Sequence, residues 1–231
     1  MEEREFETNA IRMQMDRSGN LEHSAPLYLT SSFVFEDAED MRASFAEEKD
    51  RNIYSRYANP NTSELISKVC QMEGAEAGFA FASGMAAVYS TFAALLESGD
   101  HIVSCSSVFG STLSLYQNFF PKWKISTDLF NLNDSAAAIE ALIKPNTKVI
   151  YVESPTNPGV DILDLQMIGD IAAKHGLILI VDNCFASPYL QQPISFGAHL
   201  VVHSATKLID GQGRVLGGIT VGEATLIDKI Y

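Results

Sequence analysis

The chain has 231 residues, 46% of them hydrophobic and 19% charged, with a formal net charge of −13. That is ordinary globular composition, and a field of that sign repels nucleic acid and anionic membranes, which argues against both as partners. No apolar stretch is long enough to span a bilayer. The start, MEEREFETNAIRMQMDRSGN, lacks the apolar core of a secretory signal, and Cys70, Cys105 and Cys184 show neither zinc spacing nor a disulfide framework, so a reducing cytoplasm and no metal site are expected.

Residues 1–61 read as irregular, an arm rather than a packed layer, with Pro26, Pro60 and several polar clusters. From about Asn61 the pattern alternates. NTSELISKVCQMEGA predicts a helix, FAFASG a short strand and turn, and MAAVYSTFAALLESG a helix ending near Gly99. DHIVSCSS predicts a strand, GSTLSLYQNFFP a helix, KWKISTDLF a strand, and DSAAAIEALI a helix behind an Asp N-cap. TKVIYVES is a strand, LDLQMIGDIAAKHG a helix closed by Gly176, and LILIVDN, HLVVHS and GGITVG are strands. Short strands that are apolar on both faces mark a buried parallel sheet, and strand–helix alternation gives an α/β fold with helices on both sides. Ligands in such sheets bind beyond the carboxyl ends of the strands.

Four strand ends carry polar clusters: Ser83-Gly84-Met85, residues 153–158 (ESPTNP), Asp182-Asn183, and residues 203–207 (HSATK). Asp182 follows LILIV, so it sits at a buried strand mouth, where a carboxylate needs a cationic or hydrogen-bonding partner. It is a functional acid, or else a cap or loop ion pair. Lys207 lies four residues past LVVH, as a desolvated amine that forms an imine, or else as a surface lysine snorkelling from a loop. Gly84 and Met85 open a helix whose free N–H groups attract an anion, or else make only a tight turn. The four parts together suit a phosphorylated aldehyde: the lysine for the imine, the aspartate for a ring nitrogen, and the helix start with Ser204 and Thr206 for the phosphate.

The stretch SATKLIDGQGRVLGG resembles the lysine signature of the pyridoxal-phosphate (PLP)-dependent Cys/Met-metabolism enzymes. Four further stretches match in the family's order: YSRYANPNT at 54–62, ASGMAA at 82–87, ESPTNP at 153–158 and VDNCFASP at 181–188. The resemblance implies a fold type I PLP-dependent transferase large domain over residues 62–231, behind an N-terminal arm of residues 1–61 that contacts the neighbouring subunit. It implies Lys207 as the Schiff-base lysine and Asp182 as the partner of the pyridine nitrogen. Gly84, Met85, Ser204 and Thr206 would hold the phosphate, and Asn157 would lie near the phenolic oxygen. Tyr54 and Arg56 would reach the neighbouring subunit's phosphate across a homodimer, itself half of a dimer of dimers. A planar guanidinium on such an arm suits a phosphate.

Two departures refine this expectation. Many lyases of the family carry tyrosine where VFGST places Phe109, a ring that stacks on a pyridine face without a hydroxyl to move a proton. The resemblance also implies a C-terminal small domain, with the arginine that grips the substrate's α-carboxylate, lying beyond Tyr231. The expected reaction is replacement of the γ-substituent of an O-acylhomoserine by a sulfur nucleophile. A γ-lyase, and a chain that binds PLP without turnover, are the alternatives.

Overall fold

The computed structural model describes residues 5–13 and 17–231, and the chain divides into two compact units, Met1–Lys68 and Val69–Tyr231. In the first unit, α1 spans Phe6–Arg12 and α2 spans Ala38–Phe45, while α3, Pro60–Glu73, runs from the first unit into the second. Residues 1–61 are irregular by their sequence pattern. The structure instead forms two short helices there, and α2 has a cap signal in plain view, since the Asp37 side chain accepts from the Asp40 N–H at 2.8 Å. Asp40 is itself buried and paired with Lys49 and Arg51.

The second unit runs β1 (Ala77–Phe81), α4 (Gly84–Leu95), β2 (His101–Cys105), α5 (Gly110–Ser114), β3 (Ser126–Phe130), α6 (Ala136–Glu140), β4 (Thr147–Glu153), α7 (Leu165–His175), β5 (Ile178–Asp182), α8 (Ser187–Leu190), β6 (Leu200–His203), β7 (Gly218–Gly222) and α9 (Ala224–Ile230). The strands form one sheet in the order β1-β7-β6-β5-β4-β2-β3. Strand β7 runs antiparallel to both of its neighbours, and all other pairings are parallel. This is the mostly parallel α/β sheet that the apolar strands predict.

Register fixes which face each side chain takes. Thr220 pairs with Val202, and its hydroxyl lies 2.9 Å from that of Thr91 on α4, so this face lies under α4. His203 pairs with Ile219 and turns to the other face, where Glu73 of α3 meets it. Helix α7 packs so closely on the 3-10 turn Pro193–Phe196 that a Cβ added at Gly169 would sit 2.0 Å from the Phe196 carbonyl oxygen.

Two helix readings change in detail. The helix expected over GSTLSLYQNFFP breaks into α5, a π turn over Leu115–Phe119 and a 3-10 turn over Phe120–Trp123. Pro121 has no N–H to continue an α ladder, and Tyr116 and Phe120 turn inward onto Phe92. Helix α6 is capped by Ser135, whose hydroxyl accepts from the Ala138 N–H, whereas Asp134 bonds the Asn131 N–H at 2.8 Å in the preceding turn. The cap expected of Asp134 is therefore supplied by its neighbour.

Candidate active site

The carboxyl ends of β4, β5 and β6 open into a cavity of about 280 Å³. Its lining includes Gly84, Met85, Phe109, Asn157, Asp182, Ser204, Thr206 and Lys207, eight residues singled out from the sequence. Tyr54 and Arg56 are not among its lining residues. They lie in the first unit on a groove of about 890 Å³ with Phe33, Phe35 and Phe45, and the Arg56 guanidinium stacks 4.8 Å from the Tyr57 ring centroid.

Each lining group is placed by local structure. Helix α4 begins at Gly84 because Ser83 caps it, accepting from the Ala86 N–H at 3.1 Å. The N–H groups of Gly84 and Met85 have no acceptor among the described residues. Glycine is required at 84, since a Cβ there would stand 2.6 Å from the Ser204 Cβ. That approach brings the helix start against Ser204, whose hydroxyl has no partner among the described residues. The Thr206 hydroxyl closes the base of the following loop by donating to the Gly217 carbonyl at 3.3 Å and accepting from the Gly217 N–H at 3.1 Å. Lys207 follows one residue later, exposed, its ammonium without an ion pair among the described residues.

Asp182 and Glu153 end adjacent strands in direct register, so two carboxyls share one dry wall of the cavity. Asp182 Oδ1 accepts from the Cys184 N–H at 3.1 Å, and Oδ2 accepts from the Tyr151 hydroxyl at 3.1 Å. Burial raises the Asp182 carboxyl above the usual range. Glu153 Oε2 accepts from the Phe109 N–H at 2.6 Å. Burial, and then the negative charge of Asp182, push Glu153 up to about 7. Burial also pushes the Cys184 thiol up to about 12, so it lines the cavity as a small apolar group rather than a thiolate.

Behind the wall, on the other face, Glu73 Oε1 accepts from Asn183 Nδ2 at 2.8 Å and lies 2.6 Å from His203 Nε2. Gln191 Nε2 bridges to the Asn183 side-chain oxygen at 2.9 Å and the Ser154 carbonyl at 2.7 Å. One polar chain thus ties together the mouths of β4, β5 and β6. Glu153, Cys184, Tyr151 and Glu73 are not among the candidate site residues that the sequence pattern marks. The signal for Glu153 was present, since it ends its strand in an apolar run just as Asp182 does.

The cavity therefore holds unspent N–H donors at a helix start, an unpaired amine, and a buried carboxylate without a cation. Those are the complements of a phosphate, an aldehyde and a protonated ring nitrogen, so the donor set fits PLP. Sheet, cavity and donor set together are those of a fold type I PLP enzyme. Residues 7–231 match the family model described as Cys/Met metabolism PLP-dependent enzyme. The chain is 45% identical over 225 residues to an O-succinylhomoserine sulfhydrylase of Pseudomonas aeruginosa, covering 97% of this chain and 56% of that protein. It is 40% identical to an L-methionine gamma-lyase of Pseudomonas putida, covering 89% and 51%. A crystal structure of a putative O-acetylhomoserine (thiol)-lyase from Campylobacter jejuni, which carries pyridoxyl-lysine monophosphate, superposes with a TM-score of 0.91 at 33% identity, covering 98% of this chain and 56% of that one. The chain belongs to the Cys/Met-metabolism family of PLP-dependent enzymes, and it spans about half the length of these relatives.

Proposed function

We propose that the protein catalyses γ-replacement on an O-acylhomoserine, O-succinyl- or O-acetylhomoserine, with a sulfur nucleophile displacing the acyl group. What carries this reading is the cavity itself, with Lys207, Asp182 and the start of α4 around one volume of about 280 Å³. Bound there, PLP supplies the electron sink for carbanion chemistry on an amino acid. Lys207 anchors the cofactor and then takes and returns the proton at the substrate's Cα. Asp182 keeps the ring nitrogen protonated. The N–H groups of Gly84 and Met85, with Ser204 and Thr206, bind the phosphate, and Asn157 approaches the phenolic oxygen. Phe109 stacks on the ring and offers no proton. That suits a carboxylate leaving group, which departs without an acid, better than a thiolate.

Tyr54 and Arg56 serve the phosphate of a second subunit in a homodimer, within a dimer of dimers. Mixed dimers of Arg56→Ala and Lys207→Ala chains would then regain some intact sites, and no recovery would sink the shared site. The enzyme acts in the cytoplasm, where its three free cysteines stay reduced.

The test has two stages. Borohydride treatment of the PLP-loaded protein should leave a pyridoxyl adduct on Lys207 and none in Lys207→Ala; an adduct on another lysine overturns the site. The intact enzyme should then show a higher kcat/KM for O-acylhomoserine with a sulfur donor than for methionine or cystathionine cleavage. The γ-lyase reading, favoured by the 40% identity to the gamma-lyase of Pseudomonas putida, takes over if cleavage is faster.

A further inference from the structure

Asp182 faces a small set of groups. Glu153 lies beside it on β4, Cys184 gives it a backbone N–H, and Tyr151 reaches it from one step back along β4, while His203 of β6 turns to the opposite face toward Glu73. Of these, Tyr151 alone gives it a side-chain hydrogen bond. The tyrosine is fully buried, so its ring cannot swing to water. Phe92 packs 5.1 Å from it and Tyr116 6.5 Å from it, centroid to centroid. Its carbonyl is held by the Ser104 hydroxyl at 2.9 Å. Burial raises the phenol well above its ordinary range, so it stays protonated and can only donate. The bond therefore has one polarity: phenol to carboxylate.

We propose that Tyr151 is a positioning residue for Asp182, its hydroxyl keeping the carboxylate ionised and aimed at the cofactor's ring nitrogen. A carboxylate that loses a donor becomes a stronger base and draws the shared proton from its partner. Tyr151 thereby holds that proton on the ring nitrogen, where the electron sink needs it. The Cys184 N–H on Oδ1 and the phenol on Oδ2 fix the carboxylate plane from both sides, and each oxygen keeps a lone pair for the cavity. This inference rests on the PLP reading above.

The test is made in the intact PLP-loaded protein with the ring nitrogen labelled with ¹⁵N. Tyr151→Phe should move the ¹⁵N resonance toward that of a neutral pyridine and weaken PLP binding about tenfold, the loss of one charge-assisted bond. Tyr116→Phe removes a hydroxyl from the same aromatic cluster, one bonded to Ser104 and not to Asp182, and should leave both readings unchanged. Site-specific fluorination of the Tyr151 ring makes the phenol a stronger donor and should move the resonance the opposite way, in a chain whose packing is intact. An unmoved resonance in Tyr151→Phe and the fluorinated protein overturns the role of Tyr151 while the Lys207 adduct still forms. Equal shifts in Tyr151→Phe and Tyr116→Phe overturn it as general softening of the core. Absence of the adduct in the unaltered protein sinks the PLP site and this inference together.

Discussion

The two faces of the strand mouths at β4, β5 and β6 solve the same problem in opposite ways. Both bury acids. On the far face, Glu73 is met by His203 and Asn183, and Gln191 extends the chain of bonds to the β4 mouth. On the cavity face, Glu153 and Asp182 stand side by side with like charge, and the nearest amine, Lys207, pairs with neither. On the far face the protein supplies partners for its acid, although Glu73 Oε2 and His203 Nδ1 have none among the described residues. On the cavity face the acids are met by backbone N–H groups and the Tyr151 phenol, with no cation paired to them among the described residues. Two like acids left without a cation on one cavity wall are the mark of a site rather than a core.

Breaking the far face should cost the most stability. Glu73→Ala leaves His203 Nε2 buried without its partner and takes one of two acceptors from Asn183 Nδ2, the Gln191 carbonyl remaining, and denaturant unfolding should show a loss of about 3–5 kcal/mol. A loss near zero would mean that the two faces do not differ as described.

The cavity face should declare itself through pH. Glu153 in the folded protein titrates near 7, above its unfolded value, so the native state holds more protons than the unfolded state between the two. The contribution of Glu153 to the stability of the cofactor-free protein should therefore be full below pH 4.5, fall as pH rises through that value toward 7, and level off above. The drop should be on the order of 2 kcal/mol. Asp182, also raised by burial, acts in the same sense. Glu153→Gln should flatten the slope, and a slope that survives the substitution would place the titration elsewhere.

The smallest effect sharpens the comparison at its edge. Ser83→Ala removes the α4 cap and should lower stability by about 1 kcal/mol. It also frees a third N–H, that of Ala86, beside Gly84 and Met85, so a melt with and without PLP separates the cap from the anion site.

What could be read from the sequence follows the range of the interactions. LILIVD announces a buried strand ending in an acid, and Gly176 announces a helix end because only its φ of 63° fits there. Lys207 and Asp182 were legible because each stands at the end of an apolar run. Glu73 was not, since its partners lie 110 and 130 residues away and only the sheet's register brings them together. Tyr151 reads as one more apolar residue of its strand until β5 is placed beside it. The reversal of β7 has the same origin: a short apolar strand carries no mark of its direction, which is set by the length and course of the loop before it.

That reversal bears on the lysine. Strand β6 ends and β7 begins at the same rim of the sheet, so the chain between them makes an arc over the cavity instead of crossing to the far end and back. Thr206 and Gly217 cinch its base with a reciprocal pair of bonds, and Lys207 is the first residue beyond the cinch. Lys207 is thus moored at the rim, its N–H donating to the Ser204 carbonyl at 3.1 Å and its carbonyl accepting from the Gly211 N–H at 2.9 Å, so the backbone beneath the amine is held to the strand end it follows.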